Sequence, residues 1–223
     1  MKRTELIYKL YGILLICFFV IICSVSADFV YVPDDKPTIQ SAISFAQEDD
    51  TVLVADGTYG GTGNVDIDFM GKDLTDSSVN GAEYCVIDCQ GSADTPHRGF
   101  YFNNSEEEDS ILRGFTIRNG YGSGDSSDED DGGGIYCYNS SPVITDCIIE
   151  NNYAPQGGGI ACRHSEPCIT NCVITENSAQ DGAGIYCIGS SSPVFFNCLI
   201  MNNHAEDNGG GLYLWQGAQD LFN

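Results

Sequence analysis

From about residue 132 onward, apolar and polar residues alternate over short runs, and each run is bounded by Gly, Pro, Ser or Asn. Gly132-Gly133-Gly134-Ile135-Tyr136-Cys137 leads to Pro142-Val143-Ile144-Thr145-Asp146-Cys147-Ile148-Ile149 and then to Asn152. The same order returns from Gly157 and from Gly182, and a fourth copy opens at Gly209. Ile135, Ile160 and Ile185 lie 25 residues apart, and Cys147, Cys172 and Cys198 step by 25 and 26, as do Asn152, Asn177 and Asn203. A drift of one residue is tolerable in a turn but not in a strand, where it would turn every side chain to the other face. Alternation between breakers predicts strands, and no copy carries a helical period of useful length. Short strands in one-coil repeats stack coil on coil through parallel ladders about 4.8 Å apart.

The expected fold class is therefore all-β: a single-stranded parallel β-helix, a solenoid of about 25 residues per coil and about six coils. Its expected core is Ile135, Cys137, Ile144, Cys147 and Ile149 with their equivalents in the next two coils. A degenerate copy at Gly114–Gly120 puts Phe115 in the slot of Cys147 after a step of 32, with Gly122 to Asp131 absorbing the excess. Near the N-terminus, Thr38 is placed to cap a short helix with Ile39, Ala42, Ile43 and Ala46 on one face. Such a helix would cover the open end of the solenoid.

Residues 1–27 read as an export signal: Lys2, Arg3 and Lys9, an uncharged apolar run from Leu10 to Cys23, then Val25 and Ala27 before a cleavage point at Asp28. The expected mature domain is 28–223, secreted or at the cell surface, with no membrane insertion once the signal is removed. The fourth copy breaks off, so a β-helix cut short at its C-terminal end, prone to end-to-end self-association, is expected. The mature stretch holds six basic and 31 acidic side chains, a net charge of −25. That field disfavours nucleic acid and anionic lipid as partners.

Two sets of residues resemble known proteins. Thr38 to Ile43, with Asp50 to Val54 and Asp56-Gly57-Thr58-Tyr59, resembles the opening of pectin-lyase-like β-helix proteins. Gly-Gly-Gly-Ile, Ser-Pro-x-Ile and Asn-Cys-x-Ile resemble the coils of right-handed parallel β-helix repeat proteins. A weaker similarity links the repeats to polymorphic outer-membrane proteins, although Ile149, Ile174 and Ile200 stand where their Phe is expected. The resemblance implies a right-handed coil and a polysaccharide or cell-surface glycan as partner. It does not choose among the activities that this fold carries.

The candidate chemistry is sparse. Arg98, Arg113, Arg118 and Arg163 are the candidates for lyase-type proton abstraction, and Arg113 and Arg118, which flank one strand segment before an acidic loop, are the best placed. Asp125, Asp128, Asp130 and Asp131 are the candidates for Ca²⁺, the one cofactor to consider. Glu106 to Asp109 reads as a solvated acidic run, and His97, His164 and His204 as scattered loop residues. The signature motifs of pectate lyases, polygalacturonases and pectin esterases are absent. Nine of the 11 cysteines follow residue 27. Cys137, Cys162 and Cys187, and Cys147, Cys172 and Cys198, are expected to stack as two ladders of buried thiols. Cys85, Cys89 and Cys168 are expected off those columns, with Cys85–Cys89 the one pairing to entertain. Asn152, Asn177 and Asn203 are expected to form an amide ladder at a turn. The expectation is a non-catalytic binding, adhesion or structural protein, with glycans as the ligand class to consider. The alternative is a polysaccharide-active lyase or epimerase whose active coils are incomplete here.

Overall fold

The computed structural model describes residues 27–123 and 131–215. Most of the expected export signal lies outside them. Four parallel sheets form the walls of a right-handed β-helix. Sheet I holds β1 (Phe29–Val32), β2 (Thr51–Val54), β5 (Thr75–Ser78), β8 (Ile111–Arg113), β11 (Val143–Thr145), β15 (Cys168–Thr170) and β19 (Val194–Phe196). Sheet II holds β3 (Gly57–Tyr59), β6 (Cys85–Asp88), β9 (Thr116–Arg118), β12 (Ile148–Glu150), β16 (Val173–Thr175) and β20 (Leu199–Met201). Sheet III is shorter, with β13 (Tyr153–Gln156), β17 (Ser178–Asp181) and β21 (His204–Asn208). Sheet IV holds β4 (Ile67–Asp68), β7 (Phe100–Phe102), β10 (Ile135–Tyr138), β14 (Ile160–Arg163), β18 (Ile185–Ile188) and β22 (Leu212–Trp215). Sheet I has seven strands, one coil more than the repeats suggest, because β1 and β2 precede the recognisable copies.

The register follows the repeat. Ile135 pairs with Ile160 and Ile160 with Ile185, while Cys137, Cys162 and Cys187 form one column. All six are fully buried, which places their strand faces inward. Phe115 sits beneath Cys147 because Thr116 pairs with Ile148 across the 32-residue step. The same alignment corrects one expectation. Val86 pairs with Thr116, so Cys85 belongs to the column of Phe115 and Cys147 rather than standing apart. Cys89 is one residue beyond β6, also buried, where the chain turns through Gln90 at φ 50°.

Corners are closed by side chains. Asn177 Oδ1 accepts from Asn152 N–H at 3.0 Å, and Asn203 Oδ1 accepts from Asn177 N–H at 3.0 Å, the expected amide ladder. A second, serine ladder was not anticipated: Ser140 N–H donates to Ser165 Oγ and Ser165 N–H to Ser191 Oγ, each at 3.2 Å. All three serines are buried, so each hydroxyl satisfies a backbone group that water does not reach. The first residue of each glycine-rich triplet has positive φ, at 74°, 67° and 61° for Gly132, Gly157 and Gly182, which turns the chain into sheet IV.

Helix α1 (Ile39–Phe45) begins at Thr38, whose side chain accepts from Ser41 N–H while the Ser41 side chain accepts from Thr38 N–H. It buries Ile39, Ala42 and Ile43, and touches β1, β2 and β4. It occupies the connection from β1 to β2, at a level where sheets II and IV have no strand, and so closes the N-terminal end as expected.

Candidate functional site

The wall changes where the loop after β6 gives way to sheet III in later coils, and a cleft of about 220 Å³ opens there. Asp66, His97, Arg98, Tyr121 and Ser123 line it. Asp66 immediately precedes β4 in a left-handed conformation, φ 52°. His97 and Arg98 lie one coil later, just before β7. Arg98 N–H donates to Asp66 Oδ1 at 2.8 Å, and Asp66 N–H donates to the Arg98 carbonyl at 2.7 Å. That clamp brings His97 Nδ1 to 2.6 Å from Asp66 Oδ2, so in the Nδ1–H tautomer the imidazole donates a hydrogen bond to the carboxylate. Tyr121 N–H donates to the His97 carbonyl at 2.7 Å and ties in a third coil. Gly91 makes room for this junction. A Cβ there would lie 2.7 Å from both His97 O and Tyr121 N, so any other residue would push the two strands apart.

The cleft leads onto the outer face of sheet IV. There Tyr101, Tyr136, Ala161, Tyr186 and Tyr213 occupy one register column. Tyr101 and Tyr136 stack with centroids 5.5 Å apart, and Tyr186 and Tyr213 with centroids 5.7 Å apart. The Arg98 guanidinium lies 5.3 Å and 5.4 Å from the Tyr101 and Tyr136 ring centroids, within cation–π range. Tyr136 and Tyr186 are buried, and burial raises both phenol pKa values, that of Tyr186 to about 12. Tyr101, Tyr213 and Trp215 keep part of their surface open. Between the two tyrosine pairs, at the level of Ala161, Arg163 Nη2 meets Asp131 Oδ2 at 2.9 Å.

The other candidates fall elsewhere. Arg113 and Arg118 sit on different sheets, I and II, with the corner at Gly114-Phe115 between them. Arg113 is exposed, 3.9 Å from Asp146. Arg118 holds Asp88 at 3.0 Å. Burial of Asp88 opposes ionisation, but hydrogen bonds from Asn119 and Arg118, with the Arg118 charge, bring its pKa below the ordinary value. Asp125, Asp128 and Asp130 lie outside the described residues. Asp131 is taken up by the Arg163 cation, which disfavours Ca²⁺ on the same oxygen. No group of three or more potential metal ligands converges among the described residues.

Two readings need correction. Glu106 does not belong to a solvated run: it is fully buried and accepts from Gly71 N–H, Asn104 N–H and Ser140 Oγ–H. His97 has a partner, Asp66, 31 residues upstream, brought close by one coil of winding. No short-range spacing reveals such a pair. The tyrosine column went unread, although Tyr136 and Tyr186 each follow the inward Ile of a strand and alternation turns them outward.

No curated protein matches the chain in sequence. Among solved structures it is similar to a pectin methylesterase mutant in complex with hexasaccharide IV, with TM-score 0.57 and 18% identity over 82% of this chain and 56% of that one. It is also similar to a pectin methylesterase in complex with hexasaccharide VII, with TM-score 0.54 and 18% identity over 78% of this chain and 54% of that one. The chain spans about half the length of these enzymes, and at such identity the likeness is one of fold. Residues 61–222 match the family described as the right handed beta helix region. With most of its length in that match and its walls wound as four parallel sheets, the chain belongs to the right-handed β-helix family.

Proposed function

We propose that the protein is a secreted or cell-surface glycan-binding β-helix whose binding face is the outer side of sheet IV. The in-register aromatic column carries this reading. Tyr136, Ala161 and Tyr186 are buried along the column, so the surface open to a ligand is Tyr101 at one end and Tyr213 with Trp215 at the other, rigid rings that lose little conformational entropy on binding. The hexasaccharide complexes of the similar pectin methylesterases support a saccharide as the ligand class. Export is supported by the order basic, apolar, small at the N-terminus.

Trp215 is the single tryptophan of the chain and lies beside Tyr213 at a centroid distance of 6.3 Å, so its fluorescence reports on this face. Titration with a panel of plant and bacterial oligosaccharides is expected to change Trp215 emission saturably. Tyr213→Ala is expected to weaken the responding ligand about tenfold, or ~1.4 kcal/mol. Absence of any saturable response, with no retardation in glycan-containing gels, would remove the reading.

The lyase alternative draws less support. Its arginines are separated by a corner, and Arg118 is engaged by Asp88. We expect no unsaturated sugars from polygalacturonate, with or without Ca²⁺. Release that is lost in Arg118→Ala would favour the enzyme instead.

A further inference from the structure

The Asp66–His97 pair is built rather than incidental. Three coils contribute to it, both Asp66 carboxylate oxygens are engaged, and the junction leaves no room for a side chain at Gly91. With its proton on Nδ1 held by Asp66, the imidazole keeps Nε2 as an acceptor, and His97 lines an open cleft with its side chain 41% exposed. This is the arrangement of a general base with an orienting carboxylate. The Arg98 guanidinium, steadied over Tyr101 and Tyr136, supplies a cation in the same cleft, in a chain whose formal net charge is −23. The cleft, at about 220 Å³, is smaller than the roughly 300 Å³ at which drug-sized ligand pockets begin, which suits a small substituent better than a chain of sugars.

We infer that this cleft hydrolyses small acyl esters, with His97 as the base and water as the nucleophile. The glycan-binding reading supplies the natural carrier: an O-acylated saccharide lying on sheet IV with its acyl group in the cleft. His97 Nε2 takes a proton from water as the water oxygen bonds to the ester carbonyl carbon. The carbonyl electrons move to its oxygen, and the Arg98 charge stabilises the oxyanion. Collapse reforms the carbonyl and breaks the bond to the sugar oxygen, which takes the proton back from His97. The products are a carboxylic acid and a free sugar hydroxyl. Asp66 is a positioning residue that holds the tautomer and stabilises the imidazolium.

The test uses the full chain with 4-nitrophenyl acetate, and acetate release from acetylated xylo-oligosaccharides. His97→Gln is expected to lower kcat at least 100-fold, while His164→Gln and His204→Gln leave it unchanged. Asp66→Asn is expected to lower kcat and displace the pH–rate profile with KM nearly constant, a change that a purely structural contact would not produce. Ser123→Ala tests whether a serine in the same cleft is the nucleophile; activity lost in that variant, with an acyl-Ser123 trapped in the wild type, would overturn the water mechanism. Hydrolysis no faster than that of free imidazole, or equal in His97→Gln and wild type, would overturn the proposal outright. The two readings separate cleanly. Saccharide binding without His97-dependent hydrolysis rejects the esterase and keeps the binding face. Hydrolysis of 4-nitrophenyl acetate without saccharide binding rejects the face and keeps the cleft.

Discussion

Asp76 pairs in register with Leu112, so a carboxyl group occupies a core-facing column whose other neighbour is Val52. Asp76 is fully buried, and neither carboxylate oxygen has a hydrogen-bond partner among the described residues. Burial raises its pKa well above the ordinary value. In the unfolded chain an Asp ionises near pH 4. Between that value and the raised folded one, the native state holds a proton that the unfolded state has released. Stability is therefore expected to fall as pH rises above about 4, by up to about 1.4 kcal/mol per pH unit, and this contribution is flat below pH 4. Asp76→Val is expected to be more stable than wild type by at least about 1–3 kcal/mol at pH 8, the scale of one unsatisfied buried group. The gap should narrow towards pH 4. Urea melts at both pH values check this, and a pH-independent gap would contradict it.

The Asn177 side chain ties its own coil to the one before it. Its Nδ2 donates to Ile149 O at 2.9 Å, and its Oδ1 accepts from the Asn152 backbone and side chain, each at 3.0 Å. Asn177→Ala strips partners from the buried Ile149–Asn152 corner of the preceding coil. The expected loss is about 2–4 kcal/mol, several times that of a surface asparagine. Asn80→Ala, whose exposed side chain bonds Asp56, is the control and should cost under about 0.5 kcal/mol.

The thiol columns predict chemistry. Hydrogen bonding from Cys137 and burial raise the Cys162 pKa, and burial raises that of Cys85 to about 12. Little thiolate exists at pH 8, so iodoacetamide is expected to leave these positions unmodified in the native state. Denaturation without reductant should then expose at least six reactive thiols. Cys168, half-buried on sheet I, is expected to react first. Finding the column thiols oxidised to disulfides would reject the ladders.

On the last described coil, Phe196 is 70% exposed and Val194 and Leu199 are more than half exposed. These edge strands offer apolar surface and backbone groups for pairing. Concentration-dependent association is expected in sedimentation velocity, and Phe196→Lys should reduce it. A strictly monomeric wild type would show that this edge is covered.

Much of the fold was legible in the residues because a solenoid repeats its instructions. Ile135, Ile160 and Ile185 mark the register three times, and Thr38 with its apolar face marked the cap. Cys85 was misplaced because the early coils are irregular: Thr75 pairs with Ile111 after 36 residues, whereas Val143 pairs with Cys168 after 25. The candidate site was less legible. Asp66 and His97 become neighbours only once a coil is closed, and neither lies in a repeated position. Glu106 reads as one more acid in a run until the buried donors around it are known.

Tyr101 precedes Tyr136 by 35 residues, and Tyr186 precedes Tyr213 by 27, yet each pair is separated by a single rung. The outer face of sheet IV is thus a ruler graduated in coils rather than in residues. Four rungs separate Tyr101 from Tyr213, about 19 Å at the parallel-strand spacing. Insertions at the corners leave those graduations untouched, while adding or deleting a whole coil shifts every mark beyond it. Preference for ligand length should then change in whole-coil increments, whatever happens to the loops.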